Sequence, residues 1–297
     1  MELYIIIAII SYLGLSLNGV IDKFLLKAGI PEPDVFAFYI GVLGGLTIVL
    51  IPFGFAVPNM SIFALAMVSG IAFVYALVAM FESLKRADSS IVLPALGAII
   101  PVVTLVMSFF WIEDQLNLSE VLGLAFLVSG SLLIARATSK KTGKTNWMYW
   151  AVLAGSLFAL SFTSSKLVYL DQSFISGLIW IRLGGVAGAV SLLFSPLIRK
   201  KIFQVSELAL KPTGILFFAG QTIGAGASIL QNYAVSLGSV VLVNALQGTQ
   251  FGFLILLTWV LYRWFPKILK ENFSKVIVIK KIIAIVLISA GLIFIAR

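Results

Sequence analysis

Residues 212–262 contain no Asp, Glu, Lys or Arg. In a soluble domain about a quarter of the residues are charged, and these side chains keep the surface in water. The whole chain of 297 residues is 61% hydrophobic and only 11% charged. Such a chain has too little polar surface for a soluble fold, so the composition predicts an integral membrane protein with several spans.

Apolar runs of about 20 residues, the length needed to cross a bilayer, recur along the chain. Breaking residues such as Pro31, Pro52 and Pro58 separate them. We therefore predict an all-α integral membrane protein with ten transmembrane helices. The predicted spans are about 3–21, 34–53, 61–82, 89–111, 119–136, 147–168, 174–196, 212–235, 239–262 and 278–296.

Similar segments recur in the two halves of the chain. GSLLIAR ends at Arg136 and GLIFIAR ends at Arg297, closing the predicted fifth and tenth helices. SLKRADSSIVLPAL, from residue 83, likewise aligns with YAVSLGSVVLVNAL, from residue 233. Five spans are an odd number, so the halves would lie in opposite orientations, as in many secondary transporters. We predict two inverted five-helix repeats, residues 1–138 and 147–297, joined by a basic cytoplasmic linker at 139–146.

Lys and Arg are concentrated in alternate loops. All but three of the 21 fall after the odd-numbered predicted helices, the exceptions being Lys166, Arg182 and Arg297. Because basic loops mark the cytoplasmic side, we expect a multi-pass protein of the plasma (inner) membrane with both termini outside. This rule explains the net charge of +9 without a nucleic-acid partner. We expect a monomer or weak homodimer in a lipid bilayer.

The chain contains no Cys and no His. Their absence excludes thiol chemistry and disulfides and removes the usual zinc and haem ligands. We therefore predict no cofactor and no metal site. Glu113 and Asp114 form the one adjacent pair of carboxylates, and loop solvation explains them, so we predict no catalytic residues and no enzyme.

Side-chain amides stand inside the charge-free run, where hydrocarbon makes them costly unless their hydrogen bonds are met. Asn244, Gln247 and Gln250 recur every three residues and would share one helix face. Polar residues on the preceding helix form a second stripe. Two neighbouring stripes predict the lining of a cavity, and hydrogen bonding between helices is the alternative. The uncharged candidates for substrate binding are Asn244, Gln247, Gln250, Gln221, Ser228, Asn232, Tyr75 and Tyr39.

Arg182 lies about eight residues into the predicted seventh helix. An ionisable group at that depth is a functional candidate, and Arg182 is either a cation for an anionic substrate group or a snorkelling structural residue. Glu82, Lys166 and Lys23 end predicted helices and are possible coupling sites, with ion pairing or anchoring as the alternatives. No carboxylate lies securely in the middle of a predicted span, which disfavours cationic drugs as substrates.

Over nearly its whole length, and most clearly from Ser89 to Arg136, the chain resembles the EamA-like branch of the drug/metabolite transporter superfamily. The similarity includes Pro94 and Pro101 in the predicted fourth helix, Glu113 after it, and Gly123 and Gly130 in the fifth. LFALSFTSSKLVY, LSLNGVIDKFLL and WIRLGG are also similar to family segments. The first helix lacks the Trp-Gly often seen in relatives, and Arg263 replaces a Glu. The resemblance implies a ten-helix transporter.

We expect a secondary transporter, an exporter or exchanger, of small neutral, zwitterionic or anionic metabolites such as amino acids. It would work by alternating access around a cavity near the midplane of the membrane. A lipid-scrambling protein or an intramembrane lipid-modifying enzyme is the alternative. Scrambling would explain a polar groove but not the duplicated halves with inverted charge.

A single Cys introduced at Gly143, in the predicted cytoplasmic linker, tests the orientation. The chain has no Cys of its own, so an impermeant maleimide reports on the introduced Cys alone. It should leave this Cys unlabelled in intact cells and label it after the membrane is permeabilised. Labelling of Gly143→Cys in sealed cells would overturn the predicted topology.

Overall fold

The computed structural model describes residues 2–27, 33–87, 89–112, 116–138, 146–204, 212–262 and 275–295. The described residues form helices and short connections, without a β-strand among them. The helices are α1 (Leu3–Lys27), α2 (Pro33–Gly44), a 3₁₀ helix (Gly45–Phe53), α3 (Met60–Leu84), α4 (Ser89–Trp111), α5 (Leu118–Thr138), α6 (Trp147–Asp171), α7 (Phe174–Leu192), α8 (Pro196–Gln204), α9 (Pro212–Leu237), α10 (Val240–Ala245), α11 (Gln247–Tyr262) and α12 (Lys275–Ile295).

Eight stretches of the described helices are long and apolar enough to cross a membrane. They coincide with the first seven predicted spans and the ninth, which supports the prediction of an all-α, multi-pass protein. The predicted eighth and tenth spans fall on α9 and α12. The total of ten spans stays a prediction, and most of the predicted linker, residues 139–145, lies outside the described residues.

Two predicted spans are not single α-helices, which corrects the sequence-based prediction. The second changes from α2 to a 3₁₀ helix at Gly45, where the Thr47 hydroxyl donates to the carbonyl of Gly44 at 2.9 Å. The ninth is interrupted at Leu246, whose carbonyl accepts hydrogen bonds from both the backbone N–H and the hydroxyl of Thr249. Such i to i+3 bonds tighten the chain into a turn. The short helix α8 was also not predicted.

Polar side chains define where several helices begin. Asn59 accepts a hydrogen bond from the backbone N–H of Ile62 at 2.9 Å and caps α3. Ser173 and Ser239 act in the same way at the starts of α7 and α10. Each cap satisfies one of the backbone donors that a helix leaves unpaired at its first turn.

Glycines bring α5 and α12 close together. A Cβ built on Gly123 would lie 2.9 Å from the carbonyl oxygen of Gly291, and one on Gly130 would lie 3.0 Å from that of Ala284. The partner numbers fall along α12 as they rise along α5, so these helices are antiparallel. The other extensive helix contacts are α3 with α6, α1 with α9, and α3 with α7.

Of the described glycines, Gly70 has the least room for a side chain, and it lies where α3 contacts α7. A Cβ on Gly70 would lie 2.2 Å from both the backbone N of Gly185 and the carbonyl oxygen of Ile181. A Cβ on Gly184 would in turn lie 2.7 Å from the carbonyl oxygen of Ala66. Because the nearest atoms are backbone, no side-chain rotation can make room for a methyl group.

Gly70→Ala should therefore lower the free energy of unfolding by about 1–3 kcal/mol, since α3 and α7 must separate. Gly226→Ala is the matched control, because a Cβ on Gly226 meets no atom within 4 Å. Alanine is the better helix former by about 1 kcal/mol, so the control should be as stable as the native chain or more so. Thermal unfolding in detergent measures both, and equal melting temperatures would contradict the close contact.

Candidate functional site

A small cavity lies between helices from both halves of the chain. The first half contributes α2 and α3, and the second contributes α6, α7 and α9. Its lining combines one cation, three polar side chains, several apolar ones and the backbone of four glycines. The lining residues are Ile40, Gly41, Gly44, Gly70, Phe73, Ser161, Phe162, Ser165, Ile181, Arg182, Gly185 and Asn232.

Arg182 is the charged residue of this lining. It is the ninth residue of α7, which runs from Phe174 to Leu192, so it lies within one residue of the middle of the span. Its Nη2 donates a hydrogen bond to the hydroxyl of Ser228 at 2.9 Å. Its guanidinium carbon is 5.7 Å from the ring centroid of Phe73, a distance that allows a cation–π contact. The sequence-predicted candidates Arg182 and Ser228 are thus brought together.

Glycines make room for the arginine and for the cavity beside it. A Cβ on Gly44 would lie 3.3 Å from Cδ of Arg182. A Cβ on Gly41 would lie 2.8 Å from Cβ of Ala189 and 3.0 Å from the carbonyl oxygen of Gly185. Because Gly41 and Gly44 have no side chains, α2 approaches α7 closely, and their backbone atoms face the cavity.

Asn232 is held in place by two hydrogen bonds. Its Nδ2 donates to the carbonyl of Ser228 at 2.9 Å, and its Oδ1 accepts from the hydroxyl of Tyr169 at 3.0 Å. Ser228 and Asn232 lie one helical turn apart on α9. The sequence-predicted face shared by these two residues therefore does line or adjoin the cavity.

Serines connect α3 and α6 at another wall of the cavity. The Ser69 hydroxyl donates to the carbonyl of Ser161 at 2.9 Å and lies 2.7 Å from the hydroxyl of Ser165. All three residues are buried. The hydroxyl groups thus tie the two helices together where Ser161 and Ser165 contribute to the lining.

The predicted amide stripe on the ninth span lies away from this cavity. The interruption at Leu246 places Asn244 on α10 and Gln247 and Gln250 on α11. Asn244 is 1% exposed and donates to the Thr104 hydroxyl at 3.1 Å. Its Oδ1 has no hydrogen-bond partner among the described residues. Gln247 and Gln250 are half-buried, and none of the three amides lines the cavity.

The remaining uncharged candidates are also outside the cavity. Gln221 is half-buried on α9 but is not part of the lining. The Tyr75 hydroxyl lies 2.9 Å from that of Ser191 at a side chain that is 39% exposed. The Tyr39 hydroxyl lies 3.5 Å from the carbonyl oxygen of Ile202 in α8.

The candidates for coupling have partners elsewhere. Glu82 pairs with Arg86 and lies 3.8 Å from Lys85. Lys166 donates to the carbonyls of Val235, Ser236 and Gly238 at 2.8–3.3 Å. A lysine on the last carbonyls of a helix satisfies acceptors that the helix leaves free. The side chain of Lys23 lies outside the described residues.

Sequence reasoning missed several residues around the cavity. Phe73 and Tyr169 carry no sequence signal, because aromatic side chains are common throughout this chain. Ser161 and Ser165 are spaced by one helical turn in a polar segment, which was the available signal for placing them on one face. The glycine walls depend on contacts between distant helices, and no local pattern reveals them.

Residues 2–136 match the EamA-like transporter family. This match confirms the resemblance to the EamA-like branch of the drug/metabolite transporter superfamily that was found in the sequence. The match and the eight apolar helices together support a multi-pass membrane protein. The matched family implies a small-molecule substrate and a lipid environment. The family is generally non-enzymatic.

Solved structures provide an independent comparison for the fold. One crystal structure superposes with a TM-score of 0.62, covering 98% of this chain and 94% of its own. Its sequence is 15% identical, so the likeness shows the fold alone. It is among 28 matching chains of solved structures. No curated protein matches the sequence.

Lys166→Met should lower the free energy of unfolding by about 1–3 kcal/mol, because it leaves carbonyls at the end of α9 without their donor. Lys200→Met removes an exposed lysine and serves as the control, with no comparable loss. Thermal unfolding in detergent compares them. If both variants melt together, the hydrogen bonds of Lys166 do not stabilise the end of α9.

Proposed function

We propose that the cavity beside Arg182 is the substrate site of a secondary transporter for small metabolites that carry an anionic group. Such substrates are anions or zwitterions such as amino acids. The observation that carries this proposal is a guanidinium at the middle of a membrane-spanning helix, facing a cavity. A guanidinium has five N–H donors, and one has a hydrogen-bond acceptor among the described residues.

A cation at this depth is costly unless something compensates its charge and its donors. Ser228 and the ring of Phe73 compensate part of that cost. A carboxylate or another oxyanion would compensate more, because it can accept two parallel hydrogen bonds from the planar guanidinium. Ser161, Ser165 and Asn232 offer further polar contacts to a small substrate.

The helix contacts support two inverted repeats and hence alternating access. The alignment that pairs Gly130 with Gly291 also pairs Gly123 with Ala284. Exchange of the halves therefore maps the contact between a Cβ on Gly291 and the carbonyl oxygen of Gly123 onto the contact between a Cβ on Gly130 and the carbonyl oxygen of Ala284. The two separations are similar, at 2.8 and 3.0 Å. The extensive contacts of α3 with α6 and of α1 with α9 are likewise equivalent under this exchange.

One pair of helix contacts that the repeats make equivalent differs in extent. This difference supports a conformation in which the site is open to one side of the membrane. α3 packs closely on α7, whereas the corresponding pair, α9 and α2, has no similarly extensive contact among the described residues. Under alternating access, the looser pair would close when the contact between α3 and α7 opens.

The other predicted features stay part of the proposal. The basic loops favour an inner-membrane protein with both termini outside and no dependence on nucleic acid, and we propose a monomer or weak homodimer. Coupling through Glu82, Lys166 or Lys23 stays a prediction. The amides Asn244, Gln247 and Gln250 form an alternative substrate site, to be separated from the cavity by mutation.

Arg182→Gln should abolish counterflow of carboxylate-bearing metabolites in proteoliposomes, because it removes the cation but keeps hydrogen-bonding capacity. Arg182→Lys should retain part of the activity, since it keeps the charge and loses the bidentate geometry. Gln247→Leu is the matched comparison outside the cavity and should leave the exchange rate within about twofold. A panel of amino acids, organic acids and nucleosides identifies the substrate for the measurement.

Activity that survives Arg182→Gln but is lost in a folded Gln247→Leu variant would assign the site to the amides instead. If no compound in the panel exchanges while lipid translocation occurs, the protein is a scramblase and the transport proposal is wrong. Gel filtration and thermal unfolding establish that each variant is folded before either conclusion is drawn.

A further inference from the structure

The short helix α8 combines basic and apolar side chains at the end of a membrane span. It follows α7 after a turn of three residues, so it begins where the chain leaves the hydrocarbon. Phe194 in the turn is 85% exposed and Leu197 in α8 is 76% exposed. Arg199 and Lys200 are also exposed. A helix with this mixture suits the membrane interface, with apolar groups among the acyl chains and cations at the headgroups.

The basic residues of α8 differ from another basic cluster of the protein in their ion pairing. Lys85 and Arg86 share the carboxylate of Glu82. Lys201 of α8 lies 3.4 Å from the carboxylate of Asp34. Arg199 and Lys200, by contrast, have no carboxylate partner among the described residues. Two cations that have no carboxylate partner in the described part of the chain, beside two exposed apolar side chains, are complementary to anionic lipid.

The inner face of α8 fixes its orientation against the protein. Ile202 is 3% exposed, and Ile198 packs against the core. The pair of Lys201 with Asp34 joins α8 to the first turn of α2. Burial on this side leaves Leu197, Arg199 and Lys200 directed away from the protein core.

We propose that α8 and the preceding turn form a binding surface for the headgroups of anionic phospholipids. Phe194 and Leu197 contact the acyl chains, and Arg199 and Lys200 contact the phosphate groups. The neighbouring α2 lines the cavity through Ile40, Gly41 and Gly44, so bound lipid is one helix away from the cavity. This surface does not depend on the proposed substrate.

Local lipid enrichment around the full-length protein tests the proposal. Ser195→Cys, in the turn before α8, can be labelled uniquely with a fluorophore, because the chain has no other Cys. The protein is reconstituted in phosphatidylcholine vesicles that contain equal mole fractions of spin-labelled phosphatidylglycerol or spin-labelled phosphatidylcholine. The phosphatidylglycerol probe should quench the fluorescence more strongly, and added salt should reduce the difference.

Removing the two cations from the labelled protein gives the decisive comparison. Each basic side chain near an anionic surface strengthens association about fivefold, so Arg199→Gln with Lys200→Gln should weaken the preference by up to roughly 30-fold. Arg136→Gln, at the exposed end of α5, is the matched control for Arg199→Gln. It should leave the preference for phosphatidylglycerol unchanged. Equal quenching by the two lipids in the native background would overturn the proposal. A preference that the double variant retains would do the same, and neither result depends on transport.

Discussion

The contact between α3 and α7 determines much of the arrangement around the cavity. Gly70 allows the backbone of α3 to touch that of α7 at Gly185 and Ile181. Phe73 lies one turn from Gly70, and Arg182 is adjacent to Ile181, so this contact brings the ring and the guanidinium together. A larger residue at position 70 would separate the two helices and with them the two sides of the site.

The hydrogen-bonding needs of Arg182 follow from its depth in the membrane. Near a helix end, an arginine can extend its head group to water. At the middle of α7, the aqueous phase is more than about 12 Å away along the helix in either direction, and the cavity is the nearest polar space. The Ser228 hydroxyl and the Phe73 ring provide neutral contacts, and under the proposed function an oxyanion completes the site.

Sequence reasoning predicted the large-scale fold because hydrophobic length and charge are local properties. It located the helices of most spans and identified Arg182, Ser228 and Asn232 as candidates, and the structure places these three together. It did not predict the interruption at Leu246. A threonine at position 249 is an ordinary residue in such a helix, and the sequence does not show that it bonds to the carbonyl of Leu246. The interruption divides Asn244 from Gln247 and Gln250, so the predicted single stripe is spread over two helices.

The same limitation applies to residues that act through contacts between distant segments. A lysine at position 166 has the sequence pattern of an anchor or a coupling group, but only the fold brings the carbonyls of α9 to it. The same holds for Gly44 and Gly70, because the effect of a missing side chain depends on which helix lies opposite. Local patterns therefore identify polar candidates, whereas tertiary packing determines which of them share a cavity.

Three side chains from α6 and α7 reach one face of α9. Lys166 binds carbonyls at its end, Tyr169 binds Asn232, and Arg182 binds Ser228. Of these three, Arg182 alone lines the cavity. Under the proposed function, an oxyanion that binds the guanidinium competes with the Ser228 hydroxyl for its donors. Substrate binding would then weaken one attachment of α9 to α7 on the side where α9 and α2 are apart, and this links occupancy of the site to the helix pair that must close.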